Sequence, residues 1–187
     1  MKTPSSIYQL KITLLHVSPP VWRRVQVATE TSLPKLHEVV QRAMGWTNTH
    51  LHAFRIGNEL YGPPDPEMDT RDYRRIKLED VAAERGRFIY EYDFGDGWEH
   101  ELLVEKVLAP EPGTKYPVCL AGKRAGPPED CGGPYGYAEL LRILRDPKHA
   151  EHEERKEWVG PHFAPEEFDL AFVNEEIRSR RKLVGWE

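Results

Sequence analysis

The residues best equipped for chemistry lie in two short stretches. In YDFGDGWEH, residues 92–100, Asp93, Asp96, Glu99 and His100 crowd around Trp98, and in GPPEDCGG, residues 126–133, Glu129 and Asp130 stand between prolines and glycines. Carboxylates and imidazoles at this density can ligate a divalent cation, and a bound cation can activate water, the chemistry of a metal-dependent hydrolase or nuclease. They can equally face solvent, since surface acids are common. His50 and His52 add a metal pair if their segment is extended, because alternate strand residues share a face. Packing beside Trp46 is the simpler use for them. Cys119 and Cys131 are the only cysteines, have no close CxxC spacing, and would have to borrow His149 and His152 to build a zinc site. As a nucleophile, Cys131 would also need a base and an oxyanion hole.

The element that must position the first stretch is a β-hairpin over residues 87–108, with a turn at Gly95-Asp96-Gly97 where glycine supplies a positive φ. A three-residue loop pairs Phe94 with Trp98, Tyr92 with His100, Tyr90 with Leu102 and Phe88 with Val104, which gathers the apolar side chains on one face. The other face then sets Asp93 opposite Glu99 and Glu91 opposite Glu101. Like charges so placed repel, so Arg23 or Arg24 is expected to reach them.

Upstream, residues 7–17 alternate as a half-buried strand, Ser18-Pro19-Pro20 turns the chain, and residues 21–27 resume the alternation with Arg23 in phase with the valines. Ser32 caps a helix that carries Pro34 in its first turn, repeats Leu33, Leu36, Val40 and Ala43 or Met44, and stops at Gly45. Residues 50–56 return to strand spacing. Residues 58–72 are rich in proline and acids and read as a surface loop. The stretch 116–137 holds too much glycine and proline for a helix or a central strand, so it is expected to be an ordered loop lying near the hairpin. Two helical segments follow, one around Leu140 and Leu144 and a last one opened by Pro165, ending in the basic run Arg178, Arg180, Arg181, Lys182. The expected fold class is α+β, an antiparallel sheet of five or six strands against three main helices. One domain is expected to span residues 1–187, with residues 109–115 the one linker-like stretch.

With 187 residues, 39% hydrophobic content and a net charge of -5, the chain is long enough for one sizeable core and too acidic overall for a general nucleic-acid binder, leaving the C-terminal basic run as a local anion-facing patch. No apolar run suits a membrane span, the first ten residues carry no apolar signal core, and two cysteines make no disulfide framework; the expectation is a cytoplasmic protein.

Six ordered blocks, PPVWRR (19–24), LHEVVQRAMGW (36–46), HLHAF (50–54), YDFGDGWEH (92–100), GPPEDCGGPYGY (126–137) and EWVG followed by FAPEEFD (157–169), resemble the plasmid pRiA4b open-reading-frame-three-like family. The resemblance implies a single α+β domain found on plasmids, in mobile elements and in chromosomes. Some members carry a label implying a transposon resolvase, but a serine recombinase needs a nucleophilic serine among arginines, and Ser5, Ser6, Ser18, Ser32 and Ser179 have no such setting. The sequence also departs from the family pattern at Gly126, where many members have a cysteine, and at Ala164, where an aspartate often precedes the proline. The favoured reading is a binding or accessory domain whose ligand or protein-partner surface is formed by Asp93, Asp96, Trp98, Glu99, His100, Glu129, Asp130, His50 and His52. The alternative is the metal-dependent hydrolase or nuclease.

Overall fold

In the computed structural model, residues 4–65 and 69–183 are described. Within them one sheet of eight strands is covered on one face by helices. The strands are β1 (Ile7–Leu14), β2 (Trp22–Ala28), β3 (His52–Ile56), β4 (Glu59–Gly62), β5 (Arg71–Asp72), β6 (Arg87–Tyr92), β7 (Trp98–Leu108) and β8 (Val118–Lys123). The helices are α1 (Leu33–Met44), α2 (Leu78–Val81), α3 (Gly133–Arg145), α4 (His152–Val159) and α5 (Leu170–Arg178). The sheet order is β5-β4-β3-β6-β7-β1-β2-β8, antiparallel except for the short β4–β5 pair. The α+β class and the mainly antiparallel sheet match expectation; the counts of strands and helices were too low.

Three short elements account for the extra strands. The loop expected over 58–72 contains β4 and β5, while its residues 66–68 lie outside the described residues. The Gly- and Pro-rich stretch contributes β8, an edge strand whose far side is not required to donate a ladder, and its second half opens α3 at Gly133. Strand β8 lies beyond residues 109–115 yet joins the same sheet through β2.

Helix α1 forms as its capping chemistry dictates: Ser32 Oγ accepts from Lys35 N, proline sits in the first turn, and Gly45 ends the helix at φ 85°. Its inner stripe, Leu33, Leu36, Val39, Val40 and Ala43, packs on Ile12, Val25, Tyr90 and Leu102 of the sheet. The last helix begins at Leu170 rather than at Pro165, so Ala164 is not its cap position, and Asp169 caps it by accepting from Phe172 N.

The hairpin differs from the expected register. Tyr92 pairs with Trp98, Tyr90 with His100, Phe88 with Leu102 and Glu91 with Glu99, around a five-residue loop, Asp93–Gly97. Asp93 takes φ 54°, its Oδ1 accepts from Gly95 N and Asp96 N, and its carbonyl accepts from Gly97 N, so the turn closes one residue before Phe94. Phe94 is left exposed. The compensation of the acidic face also comes from elsewhere: Arg55 holds Glu99 at 2.6 Å, Arg87 holds Glu101 at 2.5 Å, and Arg24 pairs with Glu105 instead of the four acids expected. Arg23 points into the core. Its guanidinium donates to the carbonyls of Ala43, Trp22 and Lys123, lies 4.6 Å from the Phe168 ring, and has its pKa lowered to about 10 by burial.

Candidate functional site

Loop 93–97, the segment 46–51 between α1 and β3, and the Gly126–Gly132 loop meet at one edge of the helix-covered layer. Trp46 stacks on Tyr92 with centroids 5.0 Å apart, and its indole N–H donates to Pro127 O. Backbone contact is close enough to require glycine at two places. A Cβ on Gly126 would come 2.0 Å from Met44 O, and one on Gly133, at φ 67°, would come 2.2 Å from Asp96 O. Asp96 adds a side-chain bond to Gly132 N. Of the stretch 116–137, expected to be a loop near the hairpin, residues 126–132 lie against the hairpin, whereas residues 118–123 form β8 at the sheet edge, separated from β7 by β1 and β2.

Glu129 is the principal fastening. One carboxylate oxygen accepts from Thr47 N and Thr47 Oγ1, and the other accepts from Thr49 Oγ1 and from Tyr92 O–H. The phenol oxygen Tyr92 Oη in turn accepts from Thr49 N, and its pKa is raised by burial and then by the neighbouring Glu129 carboxylate. With four donors around it, Glu129 has little left to offer a ligand.

His50, Asp93 and Asp130 converge beside this fastening. His50 Nε2 lies 3.0 Å from Asp130 Oδ1 and 3.6 Å from Asp93 Oδ2, and one ligand atom from each of the three residues falls within 4.8 Å of the others. Neither carboxylate offers Nε2 a hydrogen bond of acceptable geometry, so this buried nitrogen has no hydrogen-bond partner among the described residues. Asp93 and Asp130 both occupy the left-handed region, at φ 54° and 59°, a conformation that aspartate tolerates better than most residues. Asp93 commits Oδ1 to the turn and faces His50 with Oδ2. Asp130 is open to solvent, its side chain 69% exposed.

The remaining sequence candidates are dispersed. His52 turns inward, bonds Tyr73 O–H through Nε2 at 2.9 Å and stacks on His37, so it does not pair with His50. Burial lowers its pKa to about 2. His100 is fully buried beneath Trp46, with Nδ1 3.3 Å from Tyr90 O and a pKa lowered to about 4 by burial. Trp98 is buried between Trp46 and Tyr137. Glu99 points to the opposite face of the sheet, toward Arg55 and His16. The six residues of the hydrolase constellation therefore do not form one centre. Nor do Cys119, Cys131, His149 and His152 form a metal-ligating group among the described residues. Cys119 Sγ contacts Ala121 O, His149 bonds Glu151 N, and His152 Nδ1 meets Ile143 O. The Cys131 thiol pKa is pushed up to about 12 by burial, then by Asp96, the reverse of an activated nucleophile. The fastening role of Tyr92 and the inward histidine His37 carried no signal in the sequence, because each sits in an apolar stripe of its own element.

The sequence model for plasmid pRiA4b ORF-3-like proteins matches residues 6–172. A Sinorhizobium fredii protein, described as uncharacterized protein y4hQ, is 44% identical over 174 residues, 91% of this chain and 87% of its own. The crystal structure of MM3350, a protein of unknown function from Methanosarcina mazei Go1, is similar with a TM-score of 0.86 and 36% identity, covering 90% of this chain and 98% of that one. No helix among the described residues is long and apolar enough to cross a membrane.

Proposed function

The chain belongs to the plasmid pRiA4b ORF-3-like family, and on that premise we propose that it is a cytoplasmic binding or accessory domain that holds a divalent cation with His50, Asp93 and Asp130. The observation that carries this reading is the buried His50 Nε2, which lacks a hydrogen bond although carboxylate oxygens stand 3.0 and 3.6 Å away. Two atoms ligating a first-row cation at about 2.1 Å each, about 90–110° apart, are themselves about 3.0–3.4 Å apart, so small side-chain rotations would complete the site. One imidazole and two carboxylates suit Zn2+ or Mn2+ better than the oxygen-only preference of Ca2+.

Three protein ligands leave coordination positions open on the side where Asp130 meets solvent, so the cation would present itself to a ligand or partner. Hydrolysis would have to proceed from this centre alone, because Glu99 and His100 lie elsewhere.

Calorimetric titration of chelator-treated protein with Zn2+ and Mn2+ tests the proposal. Saturable binding at one equivalent, lost in His50→Ala and in Asp130→Asn while both variants keep the wild-type circular dichroism, is the expected result. Binding that survives both substitutions, or none below millimolar cation, would refute it.

A further inference from the structure

A groove of about 2190 Å³ runs from His50 past α1 to the chain after α5, and its floor contains a histidine that the cation reading leaves unused. His37 is only 4% exposed, yet its Nε2 has no hydrogen-bond partner among the described residues. The network behind it fixes which nitrogen holds the proton. Asn48 N donates to Gln41 Oε1 at 3.0 Å, which orients the amide so that Gln41 Nε2 donates to the phenol oxygen Tyr90 Oη at 2.9 Å. Tyr90 has no other acceptor among the described residues for its buried O–H, so it gives its single proton to His37 Nδ1, 2.8 Å away, and the proton of His37 lies on Nε2. Burial lowers the pKa of the ring to about 4, so near neutral pH it is an uncharged donor.

The groove around this donor is basic although the protein is acidic. Its described lining includes seven Lys and Arg side chains against four Asp and Glu, in a chain of net charge -5. Lys35, Arg74 and Arg181 are held by Glu38, Asp72 and Glu176, which leaves Arg180 and Lys115 as lining cations with no acid partner among the described residues. We propose that this groove is an oxyanion site, taking a small phosphate- or carboxylate-bearing ligand one of whose oxygens accepts the Nε2–H of His37.

Asn48 is the gate to that donor. It lines the groove in the left-handed conformation, φ 64°, and its side chain offsets part of the effect of burial on His37, although no hydrogen bond to Nε2 closes. The ligand oxygen replaces this weak neighbour, and the cations Arg180 and Lys115 along the groove favour an anion over the neutral amide. The inference does not depend on the cation, although His50 lines the same groove.

The test follows the His37 side-chain Nε2–H signal by NMR in metal-free, 15N-histidine-labelled protein at pH 7, titrated with inorganic phosphate, with acetate, and with chloride at matched ionic strength. A saturable shift with phosphate alone identifies a phosphate ligand, with acetate alone a carboxylate ligand, and with both the shared chemistry. Asn48→Gly, which keeps the backbone bond to Gln41 and suits the positive φ, should bind more tightly, and the exposed Arg180→Ala should bind about two- to tenfold more weakly. The proposal fails if chloride moves the signal equally, or if phosphate and acetate leave it unmoved in both the wild type and Asn48→Gly.

Discussion

His37 and His52 stack face to face, their ring centroids 3.5 Å apart and their planes within 7° of parallel, one carried by helix α1 and the other by strand β3. The pair is tolerable only when uncharged. Burial lowers His37 to about 4 and His52 to about 2, with the neighbouring ring adding to the depression at His52, and burial lowers His100 to about 4.

The sign of the pH dependence follows. Below the unfolded value of 6.5 the unfolded chain binds protons that the folded rings refuse, so stability falls as pH drops, and it continues to fall until the folded pKa is reached. Each ring contributes a slope of up to about 1.4 kcal/mol per pH unit between roughly pH 6 and 4.5. Urea midpoints measured from pH 7.5 to 4.5 should drop steeply below 6.5, and His100→Gln, which cannot be charged, should flatten the profile by about one histidine. A profile that is level from 7 to 5 would contradict the neutral-ring assignment.

Glu129→Gln should loosen the loop that carries Asp130. Four donors face that carboxylate, and an amide would turn an NH2 group toward at least one of them, costing about 1–3 kcal/mol. Tyr92→Phe removes one donor to Glu129 and the acceptor of Thr49 N. Because the two substitutions break a shared contact, a double-mutant cycle in urea should show a coupling of about 1 kcal/mol or more, whereas independent roles would give additivity.

How far the sequence could be read depended on whether the wrong alternative would have exposed apolar groups. Helix α1 was legible end to end because Ser32, Pro34 and Gly45 each satisfy a separate requirement of a helix terminus. The hairpin faces were legible and the register was not. Sliding Tyr92 from His100 to Trp98 is a two-residue shift that keeps every side chain on its face, so alternation could not decide it. What decided it was Asp93 closing its own turn. At the candidate site, Asp93, Asp130 and His50 stood out by residue type. His37 did not, because a histidine between Leu36 and Val39 is just one more position of an inner helix stripe until Gln41 and Tyr90 are placed beside it.

Asn174 should prove to be the residue that closes the sheet edge. Among the described residues strand β8 pairs only with β2, and on its other side Asn174 Oδ1 accepts from Cys119 N while Nδ2 donates to Cys119 O, each at 2.9 Å. Asn174→Ala would expose both backbone groups, costing about 1–2 kcal/mol and leaving an edge open to pairing with another chain. Light scattering during a thermal ramp should show earlier aggregation in Asn174→Ala than in Asn174→Gln, which retains both kinds of atom on a longer arm. Equal onset in the two variants and the wild type would remove the role.

Cys131 offers a direct readout of the junction itself. Its thiol pKa, pushed up to about 12 by burial and then by Asp96 and Asp130, leaves little thiolate at pH 8, so iodoacetamide should modify it on the order of a hundredfold more slowly than the same cysteine in urea. Since the thiolate is the reacting form, any change that opens the loop or removes a neighbouring negative charge must speed alkylation. Asp96→Asn does both: it removes the stronger of the two charges, and it replaces the oxygen that accepts from Gly132 N with an amide that is a weaker acceptor. Cys119, buried on β8 and bonded through its backbone to Asn174 rather than to the loop, is the internal control. Mass spectrometry of the two cysteine peptides should therefore show Cys131 accelerated in Asp96→Asn and Cys119 unchanged; parallel acceleration of both would mean that the substitution unfolds the protein rather than releasing the junction.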